Sequence, residues 1–364
     1  MSPEPGPVPP AAADAPTVVS FLAPRKVALI ACEPQPMRQY GVRVRTWYSG
    51  VSAGTELTAY RGTNPYLTRT WDEDSRLFRD GAPTFAYPVS GWGYSEVGEV
   101  VEVADGVTDV TPGQVVHGIW GHRSDAVVPA DAVRGRMLDG VDPVAGCFAR
   151  VGAIALNAVL AADARIGDRV AVFGQGVIGL LATRLLTLAG AEAVAVDVNP
   201  RRLETATAMG AVATVDARVD GGAGAAVRAL PGGGVDAAIE LSGSDRALHE
   251  ATRAVVVDGV VVASGFYQGG AANLRLGEEF HHNRVRIVAS QIGGTPVTLG
   301  ERWNQGRLVS AFMRQVLTGR VDVLSLVTDV VDAADVADVF ARLDAGDPGI
   351  LQAVLRFDAA PPRR

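Results

Sequence analysis

The run GQGVIG sets three glycines in G-x-G-x-x-G spacing, directly after the apolar stretch DRVAVF and at the start of a segment with helical periodicity. In this context the first glycine permits a tight turn, the second lets the backbone approach a pyrophosphate, and the third lets the helix pack on the strand. The helix N-terminus offers free N–H groups and partial positive charge to phosphates. The run therefore predicts a dinucleotide site. Its predicted phosphate-binding residues are Gly174, Gln175, Gly176, Val177, Ile178 and Gly179.

Asp197 supports this interpretation, because it ends the next apolar run, EAVAVD, about 20 residues after the glycines. A carboxylate at this place accepts hydrogen bonds from both ribose hydroxyls and repels the 2′-phosphate of NADP, so the sequence favours NAD. Arg201 and Arg202 follow closely and offer phosphate contacts, which leaves NADP open. The alternative is a structural glycine turn with a helix-capping acid.

Further cofactor contacts are predicted where later strands end. Ligands of open α/β sheets bind beyond the carboxyl ends of the strands. The residues predicted to wall the adenosine and nicotinamide are Ser242, Gly243, Gly265, Phe266, Tyr267 and Gln291, with Arg202 near the ribose.

Two domains must position these residues. The 364 residues are 48% hydrophobic and 20% charged, which is enough to build two cores. Residues 17–155 read as short β-strands with frequent Gly and Pro, followed by alternating strands and helices in 156–294 that predict a doubly wound parallel sheet. Residues 295–364 contain helices and a last strand that return to the first domain, and residues 1–16 read as a disordered tail.

Composition excludes several classes of protein. The net charge of −7 comes from scattered charges with no basic stripe, so we expect no nucleic-acid partner. Cys32 and Cys147 are too few for a disulfide framework or a four-thiolate zinc lobe. The N-terminus lacks a signal-peptide pattern, and no apolar run approaches the ~20 residues that span a bilayer, so we expect a cytoplasmic protein without a membrane partner.

The order of a β-rich domain, VAVFGQGVIGLLA, VAVDVNPRRLETA and a return to the first domain resembles the medium-chain dehydrogenase/reductase superfamily, which includes the zinc alcohol dehydrogenases. The stretch SGVSAGTEL is similar to the SG-x-S-x-GTE pattern of a zinc-independent branch resembling bacteriochlorophyllide a dehydrogenase. This resemblance implies a GroES-like catalytic domain, a Rossmann domain, hydride transfer with nicotinamide, and a homodimer.

The sequence departs from the resemblance at the zinc ligands. The three positions that carry ligands in zinc members hold Ala53, Tyr94 and, by a less secure alignment, Arg150. Ala and Arg do not bind Zn²⁺ and Tyr rarely does, so we expect no catalytic zinc. Cys147 reads as a small core residue. His281 and His282 are adjacent, which on a strand would point them to opposite faces.

Without zinc, another group must handle the hydroxyl proton during hydride transfer. The sequence offers Tyr94, with its pKa lowered by Arg150, as general acid or base. The alternative is that Tyr94 packs and Arg150 forms a structural pair with Glu56, which is otherwise one of the catalytic candidates. Thr55 is a second candidate, as a proton relay or as a turn residue, and His122 is a third, as acid or base or as a structural histidine.

The functional prediction is a zinc-independent, NAD-preferring oxidoreductase that interconverts a secondary alcohol and a ketone on a small molecule, mid-sized and cyclic or polyhydroxylated. The polar, aromatic stretch from Thr63 to Tyr87 would form one wall of its pocket. Two alternatives stay open: a reductase of enone C=C bonds, and a dinucleotide-binding sensor or structural protein without turnover.

Overall fold

The computed structural model describes residues 15–357 and 359–360. Most of the predicted tail, residues 1–14, lies outside this part of the chain. Eight helices are found in the described residues: α1 Ala53–Arg61, α2 Ala149–Ala161, α3 Val177–Leu188, α4 Pro200–Ala208, α5 Ala223–Ala229, α6 Asp245–Ala254, α7 Gln305–Leu317 and α8 Val336–Asp344.

The first part of the chain forms the predicted β-rich domain. Its strands are β1 Thr17–Ala23, β2 Lys26–Ala31, β3 Gly41–Gly50, β4 Thr70–Asp72, β5 Leu77–Arg79, β6 Val89–Ser90, β7 Glu96–Val103, β8 Val115–Gly118 and β9 Asp125–Pro129. Strand β3 is central, because it pairs antiparallel with both β7 and β9. Its residues Val42 and Val44 are fully buried, as the alternation of apolar and polar residues predicts for a half-buried strand.

The middle of the chain forms the predicted parallel sheet. Its strands are β10 Arg169–Phe173, β11 Glu192–Asp197, β12 Ala213–Asp216, β13 Val235–Glu240, β14 Val255–Ala263 and β15 Arg286–Ala289. They lie in the order β12-β11-β10-β13-β14-β15, and all neighbouring pairs are parallel. This is the doubly wound order, and its switch point lies between β10 and β13. The predicted combination of a GroES-like domain with a Rossmann sheet is confirmed.

The end of the chain returns to the first domain, as predicted. Strand β17, Gln352–Arg356, pairs antiparallel with β3 and parallel with β16, Val327–Asp332. Helix α7 instead packs on α2, where a Cβ at Gly152 would overlap the ring of Phe312. The predicted boundary at residues 155/156 falls inside the continuous helix α2.

One segment corrects the expectation about apolar length. Pro143–Ala161 is long and apolar enough to cross a membrane by length and composition alone. However, 72% of its most apolar window is buried inside the protein, which is the usual setting of a helix in a domain core.

The stretch from Thr63 to Tyr87 is more ordered than its composition suggested. Strands β4 and β5 pair as a hairpin, and Tyr66 packs against Phe78 and Phe85 with ring centroids 5.4 and 5.3 Å apart. The Thr63 hydroxyl lies 2.6 Å from the side-chain oxygen of Gln268, in the loop that follows β14. This contact joins the stretch to the nucleotide domain.

Candidate active site and nucleotide-binding site

The glycine turn has the geometry that its spacing predicts. Gly174 follows β10 with φ +89°, a left-handed conformation that favours glycine. A Cβ at Gly179 would overlap the carbonyl oxygen of Gly174, so the helix reaches the strand only because this side chain is absent. Gly176 is the N-cap of α3 and has open space where a Cβ would lie. That space lies beside the first helical residues, Val177 and Ile178, where a phosphate would meet the helix N-terminus.

Gln175 and Asp197 stabilise this turn through hydrogen bonds. The Gln175 side chain is buried, donates to the carbonyl of Val172 at 2.9 Å and accepts from the Thr183 hydroxyl at 3.0 Å. The side chain therefore faces the core, and the expected contact of Gln175 with the cofactor stays a prediction. Its backbone N–H donates to Asp197 Oδ2 at 2.5 Å, and Asp197 Oδ1 accepts from the N–H of Asn199 at 2.7 Å. Asp197 therefore orders both loops besides its predicted ribose contact.

The turns after three parallel strands converge, as predicted from the edge at which they end. A Cβ at Gly174 would lie 2.8 Å from the backbone N of Ser242, and a Cβ at Gly265 would overlap the backbone of Gly243. Gly243 also has a left-handed backbone, with φ +73°. The loops after β10, β13 and β14 thus meet at the switch point, where a dinucleotide binds in open sheets of this order.

Glu240, at the end of β13, is a residue that sequence reasoning missed. It has no exposed surface, and its carboxylate accepts from the N–H of Ser242 at 2.7 Å and from the hydroxyl of Tyr267 at 2.5 Å. Burial raises the pKa of Glu240, against the hydrogen bonds from Ser242, Tyr267 and Gly243 that lower it. Tyr267 therefore braces two loops through its hydroxyl group. The available signal was the acid in AAIELSG at a strand end.

The remaining predicted cofactor residues lie around these loops. Arg202 is half-buried; its Nη2 lies 3.4 Å from the carbonyl of Ile350 and its Nε is buried without a partner. Phe266 is 39% exposed. The Gln291 side chain accepts from the N–H of Gly293 at 2.5 Å and is exposed. Their contacts with a cofactor stay predictions.

The three positions corresponding to zinc ligands, Ala53, Tyr94 and Arg150, are hereafter called the substituted corner. Ala53 is the first residue of α1. The Tyr94 hydroxyl hydrogen-bonds the side-chain hydroxyl of Ser52, the N-cap residue, and lies 3.2 Å from that of Thr55. Arg150 donates from Nη1 to the Gln305 side chain at 3.0 Å. Ser52 was not predicted, although SGVSAGTEL places a serine before a helix start.

Electrostatics at Tyr94 differ from the expectation. Burial raises the pKa of Tyr94, and this outweighs the hydroxyls of Ser52 and Thr55 and the charge of Arg150, which lower it. Arg150 does act on the phenol in the predicted direction, but its own pKa is lowered by burial. Tyr94 is therefore protonated at neutral pH, which makes it a proton donor.

Glu56 pairs with His122 and not with Arg150. Its Oε2 lies 2.8 Å from His122 Nε2, and its Oε1 accepts from the N–H of Ser52 at 3.0 Å. His122 Nδ1 lies 2.5 Å from the hydroxyl of Ser49, which donates to Glu96 at 3.1 Å. Because that hydroxyl gives its proton to Glu96, it accepts one from His122, so both ring nitrogens carry protons.

His122 has no exposed surface, which favours the alternative of a structural histidine over that of an acid or base toward substrate. Burial lowers its pKa, but the charge and hydrogen bond of Glu56, with the charge of Glu96, raise the pKa of His122 overall. Burial raises the pKa of Glu96. The network Ser49–Glu56–Glu96–His122 fixes the start of α1, and with it Ser52 and Thr55.

The substituted corner does not fit a catalytic zinc. A methyl group and a guanidinium provide no ligand, and the protonated phenol of Tyr94 is engaged by two hydroxyls. Burial raises the pKa of Cys147, so this thiol stays protonated in the core. His281 and His282 follow the helical turn Leu276–Phe280, not a strand as expected, and their ring centroids lie 5.4 Å apart.

The fold combines a GroES-like domain with a Rossmann sheet, and comparisons with known proteins show what the chain is similar to. Residues 177–306 match the family model described as zinc-binding dehydrogenase. The D-guloside 3-dehydrogenase of Shigella flexneri is 28% identical over 323 residues, covering 86% of this chain and 91% of that protein.

Solved structures share the fold. The 2R,3R-butanediol dehydrogenase of Bacillus subtilis superposes with a TM-score of 0.76 at 22% identity, over 94% of this chain and 99% of that one. A putative zinc-binding dehydrogenase of Sinorhizobium meliloti 1021, bound to NADP, gives 0.74 at 22% identity over 94% and 99%. The chain is thus similar to zinc-binding, alcohol dehydrogenase-like proteins, in sequence over residues 177–306 and in fold over most of its length.

Proposed function

We propose that this chain is an NAD(P)-dependent oxidoreductase that interconverts a secondary alcohol and a ketone without a catalytic zinc. The observation that carries the proposal is Tyr94. Its protonated hydroxyl occupies a position corresponding to a zinc ligand and is bonded to Ser52 and Thr55 at the start of α1. A positioned phenol supplies the proton that accompanies hydride transfer.

The converging glycine loops fit the dinucleotide, which when bound supplies or accepts the hydride. In the reductive direction the Tyr94 hydroxyl gives its proton to the carbonyl oxygen of the substrate. Thr55 and Ser52 then relay a proton from solvent water to the phenolate, since each hydroxyl can accept one proton while it donates another. Arg150 stabilises the transient phenolate by its charge. Alcohol oxidation uses the same residues in reverse.

We further propose NAD as the preferred cofactor, because Asp197 ends the strand at which a carboxylate would bind the ribose hydroxyls and repel a 2′-phosphate. The substrate class is a polyol, sugar derivative or similarly hydroxylated ring. The names of the relatives, a guloside dehydrogenase and a butanediol dehydrogenase, support a secondary alcohol as the reacting group. We also propose that the protein is cytoplasmic, forms a homodimer and belongs to the zinc-independent branch.

The proposal is tested with Tyr94→Phe after a panel of secondary alcohols and ketones has identified a turned-over substrate at the nicotinamide absorbance band. We expect kcat to fall about 100-fold or more, the usual contribution of a positioned acid or base. NADH affinity should stay unchanged, because Tyr94 lies outside the glycine loops. The matched control is Tyr40→Phe, whose ring is 58% exposed in the first domain; its rate should equal that of the wild type.

An unchanged rate in Tyr94→Phe would remove the proposed proton donor. Product analysis by mass and NMR separates carbonyl reduction from C=C reduction. An enone that is converted to the saturated ketone would show that the protein reduces C=C bonds and not the carbonyl group. Tight NADH binding without turnover across the panel would favour a binding protein. Zinc that is lost specifically on substitution at Tyr94 or Arg150 would refute zinc independence.

A further inference from the structure

A cavity of about 480 Å³ lies in the nucleotide domain, outside the substituted corner and the glycine loops. Its walls come from α6, from the turn Leu276–Phe280 and from the loop around Gly222. Among the residues that the structure describes, one group has the composition and spacing of a metal site, and it lies here. A ring nitrogen of His249 and one carboxylate oxygen each of Glu278 and Glu279 lie within 4.8 Å of one another.

Two atoms of this group lack the partners that buried polar atoms normally have. His249 is only 8% exposed, and its Nδ1 is buried without a hydrogen-bond partner. The Oε2 of Glu279 is likewise buried without one. Leaving such atoms unsatisfied destabilises the fold. Each of them can offer a lone pair to a cation, whereas an anion would be repelled by the carboxylate.

The arginines of the cavity leave room for this ion. Arg253 lies 3.0 Å from Glu250 and 3.3 Å from Glu279 Oε1, so it engages the other oxygen of Glu279. Arg275 lies 3.4 Å from Glu278 in an exposed contact that is easily exchanged.

We propose that His249, Glu278 and Glu279 bind one divalent transition-metal ion of the Zn²⁺ class, with water completing the coordination. One imidazole and two carboxylates suit zinc, and tetrahedral bonds of about 2.0–2.2 Å require ligand atoms about 3.3 Å apart. The ligand atoms lie within 4.8 Å of one another, which is farther apart than zinc requires. Rotation of the Glu278 side chain would bring its carboxylate closer, since about half of this side chain is exposed.

The ion would join two elements that continue from the nucleotide-binding loops. Helix α6 follows the Ser242–Gly243 turn, and the segment with Glu278 follows the turn at Gly265. Asp245 already links the same two elements by accepting from the backbone N–H of Asn273 at 2.8 Å. The metal therefore acts as a structural clamp on this edge of the domain, independently of the proposed reaction.

The test is titration of the full-length, chelator-stripped protein with Zn²⁺ alone, followed by calorimetry, with elemental analysis after dialysis. We expect one equivalent bound and a rise in the melting temperature. Glu278→Gln should weaken binding at least tenfold; this surface change leaves the core intact, so its unliganded melting temperature should match that of the wild type. His249→Gln should have the same effect on binding. The matched control His281→Gln, an exposed histidine next to His282, should bind as the wild type does.

Absence of a bound equivalent in the wild type, or binding of unchanged affinity in both Glu278→Gln and His249→Gln, would overturn the site. Binding that survives in Tyr94→Phe supports it. Zinc lost in Tyr94→Phe but kept in Glu278→Gln would place the ion at the substituted corner, refuting both this site and zinc independence. A site that fails while Tyr94→Phe still loses activity would leave the proposed function standing.

Discussion

The nucleotide-binding loops and the substituted corner differ in how far they keep the residues that the superfamily resemblance implies. The loops retain all three glycines, their acid and their close backbone contacts. At the three positions that the resemblance aligns with zinc ligands, the corner holds Ala53, Tyr94 and Arg150, and Tyr94 joins a hydroxyl cluster at the start of α1. The difference supports the proposal that dinucleotide binding and proton transfer are assigned to separate elements, so that one can change without the other.

The largest expected effect comes from a substitution in the glycine turn of the nucleotide-binding loops. Gly179→Ala would force the helix away from the strand, because its Cβ overlaps the Gly174 carbonyl. We expect a lower melting temperature and no measurable NADH binding.

Gly176→Ala separates the loss of cofactor binding from the loss of stability, since its Cβ meets nothing in the protein. Thermal melts should be unchanged for Gly176→Ala, whereas NADH titration should show a loss of affinity of about tenfold or more. Full affinity in Gly176→Ala would contradict the predicted pyrophosphate position.

A smaller effect is expected for cofactor choice. Asp197→Asn removes the negative charge but keeps an oxygen that can accept from the N–H of Gln175 or Asn199. The ratio of NADPH to NADH affinity should rise by about tenfold, because the repulsion of a 2′-phosphate is lost. Side-by-side dissociation constants measure it. Tighter NADPH than NADH binding in the wild type would show that Arg201 and Arg202 decide the preference instead.

The smallest effect on cofactor binding is expected for a change behind the substituted corner, which alters the pH dependence of stability instead. Because Glu56 raises the pKa of His122, that pairing stabilises the fold fully below the ordinary histidine pKa of about 6.5 and loses its contribution as pH rises through the raised value. Glu56→Gln should lower the free energy of unfolding by about 1–3 kcal/mol near pH 6 and flatten this alkaline decline.

His117 provides an internal control for this measurement. Burial lowers the pKa of His117 to about 3, so folding keeps its ring neutral and stability falls as pH drops below about 6.5. Denaturant titrations across pH should show that the free energy of unfolding falls on the acid side in Glu56→Gln as it does in the wild type. If the fall on the alkaline side is also unchanged in this variant, the Glu56–His122 pair does not cause it.

The histidines show what sequence reasoning could reach. Sequence reasoning considered His281 and His282 as neighbouring metal ligands and set them aside, and both are exposed. The candidate metal group contains His249 instead, with Glu278 and Glu279 about 30 positions away, and no local spacing joins them. In the same way, Glu56 was assigned to Arg150 or to the site, whereas the fold delivers it to His122, 66 positions along the chain.

The sequence by itself determined the order of domains, the parallel sheet, the glycine turn and the exchange of the zinc-ligand residues. These follow from periodicity, from the conformational freedom of glycine and from side-chain chemistry, all of which are local properties. Only the tertiary structure decided that Tyr94 is a protonated donor, that Gln175 faces the core and that Glu240 and Tyr267 join two loops. Burial and partner choice depend on residues distant in the chain, and these set the pKa and orientation of each group.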